Sequence, residues 1–183
     1  LRLRGVSLEG RTVGLIGFGA IGRAVARRLQ GFECTVLAYD PYSDVGTAQA
    51  LGVTLLPLAD LLPQADVISL HLPAMAETRG MVDAGFLAQV KEGAILVNTA
   101  RGEIIDEGAL LAALWSGRLR GAGLDAFAVE PPGADNPLLQ LPQVIATPHT
   151  GAHTDGATNA MGLGALRNLL AALRGEEPPN RIV

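Results

Sequence analysis

The sequence predicts an α/β fold: a doubly wound parallel sheet with helices on both faces, in three αβα layers. Three observations predict it. Short apolar runs alternate with amphipathic segments along the 183 residues, and that alternation calls for a parallel sheet joined by right-handed crossovers. Hydrophobic residues make up 49% of the chain and aromatic residues 4%, so the core is built from Val, Ile, Leu and Ala, which suits a sheet buried on both faces. The 23 glycines exceed what a helical bundle needs and point to tight turns and close backbone approaches.

Residues 13–16 read as the first strand, and 20–30 as a helix in which Ile21, Val25 and Leu29 recur every four residues while Arg23, Arg27 and Arg28 face outward. Residues 35–39 form the next strand. A weak helix is expected at 47–51, then a helical turn at 58–62 ended by Pro63. Residues 67–70 are a strand, 83–89 a helix, and 94–97 the cleanest buried strand. Asp106 starts a helix whose Leu110, Leu111 and Leu114 share a face. Strands follow at 121–124 and 144–146, separated by an irregular stretch over 131–142, and an Ala/Leu-rich helix spans 158–174. Asp66, Asp83 and Asp106 are assigned to loops and helix starts.

Composition excludes several function classes. Net charge is −4 and no Lys/Arg cluster is interleaved with aromatics, which argues against nucleic acid. No apolar run is long enough to span a bilayer, so no membrane partner is expected. The single cysteine, Cys34, cannot form an internal disulfide, and with no secretion signal a cytoplasmic protein is expected. His71, His149 and His153 are not spaced as metal ligands. The chain opens at Leu1, in a polar run-in over residues 1–5, and reads as a piece of a longer protein.

Gly17-Phe18-Gly19-Ala20-Ile21-Gly22 is a G-x-G-x-x-G between the first strand and the first helix. The glycines permit a tight turn, close approach to a pyrophosphate, and close packing of helix on strand. The helix N-terminus offers N–H groups to phosphates. Asp40 ends the second strand. A carboxylate there accepts hydrogen bonds from ribose hydroxyls and repels a 2′-phosphate, which favours NAD over NADP. This is the dinucleotide fingerprint of a Rossmann-type fold.

Three further segments place chemistry at strand ends. Val97-Asn98-Thr99-Ala100-Arg101-Gly102 carries an arginine, the stretch from Gly123 to Pro131 carries Asp125 and Glu130, and Thr147-Pro148-His149-Thr150-Gly151-Ala152 carries a histidine. Together with Leu8-Glu9-Gly10-Arg11-Thr12-Val13, the stretch from Ala65 to Pro73, and Glu77-Thr78-Arg79-Gly80, they resemble the D-isomer-specific 2-hydroxyacid dehydrogenases. That family includes D-3-phosphoglycerate, glycerate/glyoxylate, formate and D-lactate dehydrogenases, and the resemblance covers nearly the whole chain.

The resemblance implies NAD as cofactor and a small 2-hydroxy acid or 2-oxo acid as substrate. Arg101 then matches the substrate-binding arginine, and Glu130 and His149 the catalytic pair, in hydrogen-bond contact. Thr99, Ala100, Asp125 and Gly151 match nicotinamide-side contacts, with Arg101 and His149 beside them. Ala20 and Ile21 match the backbone donors to the pyrophosphate, and Leu72, Pro73 and Thr78 the adenine and phosphate side. His71 and His153 are non-catalytic, with His71 near the adenosine. In such a site His149 is the proton carrier, Glu130 orients it, and Arg101 clamps the carboxylate.

The same resemblance makes residues 1–183 the NAD-binding domain with a C-terminal return helix, the N-terminal substrate domain being absent. It implies a homodimer for the full-length protein, and similarity leans to the phosphoglycerate branch. The alternative from another class is a non-enzymatic NAD-sensing module of the corepressor type, which keeps these residues.

Overall fold

The computed structural model describes residues 5–181. Of the expected run-in, residues 1–4 lie outside the described residues, as do Ile182 and Val183 of the expected C-terminal return. The chain forms two compact units, one ending at Pro148 and one beginning at His149.

The first unit runs β1 (Thr12–Ile16), α1 (Ala20–Leu29), β2 (Thr35–Tyr39), α2 (Val45–Gln49), β3 (Val53–Leu55) and α3 (Leu58–Leu61). It continues with β4 (Val67–Leu70), α4 (Ala84–Gln89), β5 (Ala94–Asn98), α5 (Glu107–Trp115), β6 (Leu119–Leu124) and β7 (Val144–Ala146). Among the described residues these strands form one seven-stranded sheet in the order β3-β2-β1-β4-β5-β6-β7. Every pairing is parallel. The chain winds outward from β1 in one direction, then returns to β4 and winds in the other. The crevice at that reversal is where ligands bind in such sheets.

Two apolar clusters hold the layers together. Val13, Leu15, Val36 and Ala38 pack with Ala26 of α1 and Ala48 of α2. On the other face, Ile16, Ile68, Leu70 and Leu96 pack with Leu61 of α3, Phe86 of α4 and Leu110 of α5. Strand register matters most for function. Tyr39, Ile16, Leu70, Asn98, Leu124 and Ala146 are successive partners across the sheet. The residues that follow them (Asp40, Gly17, His71, Thr99, Asp125, Thr147) therefore emerge along one carboxyl edge.

Several expected boundaries shift, each for a local reason. The weak helix at 47–51 is α2, Val45–Gln49, because Asp44 caps it by accepting from the Thr47 N–H. The strand expected at 121–124 begins at Leu119, and the first helix ends at Leu29 before a 3-10 turn over Gln30–Phe32. β3 has no counterpart in the sequence pattern: it is a three-residue strand at the sheet edge and, among the described residues, pairs with β2 alone. Within α1 the buried residues are Gly22 and Ala26, while Ile21, expected on the core face, is 67% exposed. Asp83 and Asp106 cap α4 and α5 as expected. Asp66 does more than serve a loop. It accepts from the Thr12 N–H at 3.0 Å and pairs with Lys91 at 2.8 Å and Arg11 at 3.4 Å. Burial alone would raise its carboxyl, but those hydrogen bonds and positive charges hold it below the usual carboxylate range.

The second unit contains α6, Asp155–Leu173, which starts three residues before the expected 158 because Thr154 accepts from the Ala157 N–H at 3.1 Å. Its Leu163, Leu166, Leu169 and Leu173 are all exposed.

Candidate active site

The glycine loop is shaped by sterics at both ends. Gly17 has φ +97°, and a Cβ there would lie 2.6 Å from the His71 carbonyl oxygen; a Cβ on Gly22 would run into the Gly17 carbonyl oxygen. Gly19 differs. A Cβ there would meet nothing within 4 Å among the described residues, so none of them requires glycine at this position and a cradle is left open. Gly19 is also the N-cap of α1, and among the described residues no side chain caps that helix and no acid stands in its first turn. The first-turn N–H groups and the positive end of the helix dipole thus face the cradle.

Asp40 is held rigidly beside it. One carboxylate oxygen accepts from the Phe18 N–H and the other from the Tyr42 N–H, each at 2.8 Å. Each oxygen keeps a lone pair for a further donor such as a ribose hydroxyl. A cavity of about 270 Å³ is lined by Gly17, Asp40, Leu72, Pro73 and Thr78. A second, of about 650 Å³, is lined by Ala20, Ile21, Thr99, Ala100 and Arg101. Gly19, His71, Leu72 and Pro73 line both, so the two form one cleft along the switch point. Ile21, whose exposure broke the helical pattern, is part of its wall.

His71 sits where the halves meet. Its Nε2 is 3.0 Å from Ser69 Oγ, and burial pushes its proton affinity below that of an ordinary histidine. Thr78 faces the cleft, but its hydroxyl is committed to the loop: it donates to Pro73 O at 2.5 Å and accepts from the Met75 N–H at 2.8 Å.

At the far end, Arg101 is set by a residue outside the site predicted from sequence. Asn98 is 0% exposed at the end of β5. Its Nδ2 donates to Arg101 O at 2.9 Å and its Oδ1 accepts from the Ala100 N–H at 3.0 Å, so one buried amide closes the loop 98–101. The exposed guanidinium donates to Ala100 O at 2.7 Å and keeps other N–H groups for a ligand. The signal was a lone amide closing the apolar run 94–97. The next loop packs directly against this one, since a Cβ on Gly102 would overlap the backbone of Phe127 and Ala128. Asp125 is buried and accepts from Thr147 Oγ1 at 2.5 Å. Glu130 folds back on its own loop, where Oε1 accepts from the Phe127 N–H at 3.0 Å.

His149 and Gly151 belong to the second unit. His149 has φ +53°, and the turn it begins is closed by the His153 N–H donating to Thr150 O at 2.8 Å. The expected cofactor contacts from Gly17 to Arg101, Gly22 excepted, thus share one cleft; Gly22 supports the loop from behind. Among the described residues there is no group of His, Cys, Asp or Glu that could hold a metal ion, and no helix long and apolar enough to cross a membrane.

An open cradle over Gly19, an uncapped helix N-terminus and an anchored Asp40 fit a dinucleotide. Comparison with known proteins agrees. The chain is 47% identical over 178 residues to a D-3-phosphoglycerate dehydrogenase of Mycobacterium tuberculosis, covering 97% of this chain and 34% of that protein. It is 42% identical over 182 residues to a glyoxylate reductase of Korarchaeum cryptofilum, covering 100% of this chain and 55% of that protein. A D-lactate dehydrogenase with NAD+ from Lactobacillus jensenii superposes with a TM-score of 0.89 at 34% identity, over 99% of this chain and 58% of that one. The chain therefore spans between a third and three-fifths of the length of these relatives. Residues 1–151 match the family described as D-isomer specific 2-hydroxyacid dehydrogenase, NAD binding domain, and the chain belongs to that family.

Proposed function

We propose that this chain is the cofactor-binding part of an oxidoreductase that moves a hydride between NAD(H) and a D-2-hydroxy acid/2-oxo acid pair. The observation that carries the reading is the single cleft with Asp40 at one end and Arg101 at the other. Asp40 takes the ribose hydroxyls, the α1 N-terminus takes the pyrophosphate, and Leu72, Pro73 and Thr78 flank the adenosine side. Thr99, Ala100, Asp125 and Gly151 serve the nicotinamide side.

NAD, when bound, supplies the hydride chemistry. The chain supplies the rest. Arg101 binds the substrate carboxylate through its paired N–H groups and polarises the reacting carbonyl. His149 takes the hydroxyl proton in oxidation and returns it in reduction. Glu130 is the other member of the catalytic pair. A substrate domain outside these 183 residues completes the pocket, and the full-length protein acts as a homodimer. The phosphoglycerate branch is the favoured substrate class, supported by the 47% identity to a D-3-phosphoglycerate dehydrogenase. The corepressor alternative gains no support from the relatives, which are named as dehydrogenases and reductases.

The test is NADH consumption by the full-length protein over a panel of 2-oxo acids, including the phosphorylated three-carbon oxo acid. Turnover with at least one is expected. NADH binding without any turnover across the panel would favour the sensing module.

A further inference from the structure

The loop between β6 and β7 carries Glu130, and one side chain from another element grips it on both sides of that residue. Glu107 is the first residue of α5. Its Oε1 accepts from the Ala128 N–H at 2.9 Å and its Oε2 accepts from Asn136 Nδ2 at 3.3 Å. Ala128 adjoins Phe127, whose N–H holds the Glu130 carboxylate. Asn136 is fixed in turn, since its Oδ1 accepts from the Leu138 N–H at 2.9 Å. Glu107 is free to reach outward because its neighbour Asp106 already caps the helix, accepting from the Gly108 and Ala109 N–H groups. On its other side the loop rests on Gly102, one residue after Arg101.

We propose that Glu107 is a positioning residue: it holds the 127–136 loop so that Glu130 is presented in one orientation for proton transfer. The proposal rests on the assignment of Glu130 as a member of the catalytic pair. An ordinary helix-start acid would contribute through the helix dipole alone and would not couple to Glu130. Here both carboxylate oxygens are spent on the segment that flanks it, and a loop displaced by a fraction of an ångström leaves a proton carrier misaligned.

The experiment is a double-mutant cycle in the full-length enzyme with Glu107→Ala, Glu107→Gln and Glu130→Gln, read as kcat, KM and the pH profile of reduction. Glu107→Ala should lower kcat by about tenfold to hundredfold and leave KM for NADH within about twofold. Glu107→Gln keeps one acceptor but sets its amide N–H₂ against a second donor, so it should restore part of kcat. In the Glu130→Gln background Glu107→Ala should cost little more, because the group it positions is already altered. Should Glu107→Ala fail to fold, Glu107→Gln carries the same cycle. Equal losses in both backgrounds, or normal kcat in the Glu107 variants beside an impaired Glu130→Gln, would overturn the proposal alone. Normal kcat and pH profile in Glu130→Gln would overturn the assignment of Glu130 and the proposal with it.

Discussion

Replacing Gly19 by Ala separates what the glycine loop does for the chain from what it does for a ligand. Gly19 has φ −69° and ψ −160°, an extended conformation that alanine adopts without strain. The added methyl would meet no described atom within 4 Å. Two small terms act on the fold. Alanine is a poorer N-cap than glycine, at about 0.5–1 kcal/mol, and it reduces the entropy of the unfolded chain, which returns about 0.4–1 kcal/mol. They offset, so Tm should stay within about 3 °C of the parent. A pyrophosphate lying over Gly19 would instead be pushed off its N–H donors. An overpacking cost of about 1–3 kcal/mol corresponds to roughly fivefold to 150-fold weaker NADH binding. Gly22→Ala is the contrasting control: its methyl meets the Gly17 carbonyl oxygen, so it should lower Tm as well. Calorimetric titration of the 183-residue chain with NADH, beside thermal melts, reads both quantities. Unchanged NADH affinity in Gly19→Ala would refute the placement of the pyrophosphate; a large fall in Tm would refute the claim that the space is open.

Other expectations follow from the same geometry. Asp40→Asn keeps the shape but removes the charge that repels a 2′-phosphate, so the preference for NADH over NADPH should shrink by on the order of tenfold in paired titrations; an unchanged ratio would remove Asp40 from that role. In the full-length enzyme, Glu130→Gln should lower kcat in both directions, because it removes the charge of one member of the catalytic pair. His149→Ala should cost more in both directions, and near-normal rates would mean that another group carries the proton. Burial depresses the proton affinity of His71 below its ordinary value of 6.5, so the unfolded chain binds the proton more tightly than the folded one. That contribution to stability is fully present above about pH 6.5 and is lost as pH falls from there through the lower folded-state value. His71→Gln should flatten this part of the Tm-against-pH curve, and an unaltered slope would contradict the burial argument.

The layers and the strand ends were legible in the sequence because each carries a local pattern. Buried parallel strands appear as apolar runs, and the glycine fingerprint ties turn, helix and phosphate site into six consecutive residues, Gly17 to Gly22. Asp40 was legible for the same reason, as the acid that ends the second strand. What escaped depends on distant partners. β3 pairs over only three residues with β2, too few for periodicity to register. Ile21 fits the helical repeat yet faces the cleft, since repeats mark a helix face but not what covers it. Asn98 works through backbone atoms two and three residues ahead, within a buried strand end. Glu107 works through Ala128 and Asn136, more than twenty residues away, and nothing local distinguishes it from the capping acid beside it.

One cleft, from Asp40 past Gly19 to Arg101, should hold NADH. Backbone amide shifts of the isotope-labelled 183-residue chain, followed by NMR during titration with NADH, test it most directly. Saturable shifts are expected at Phe18 to Gly22, at Asp40 and Tyr42, at His71 and Leu72, and at Thr99 to Arg101. Saturable shifts confined to other residues, or none at millimolar NADH, would contradict it.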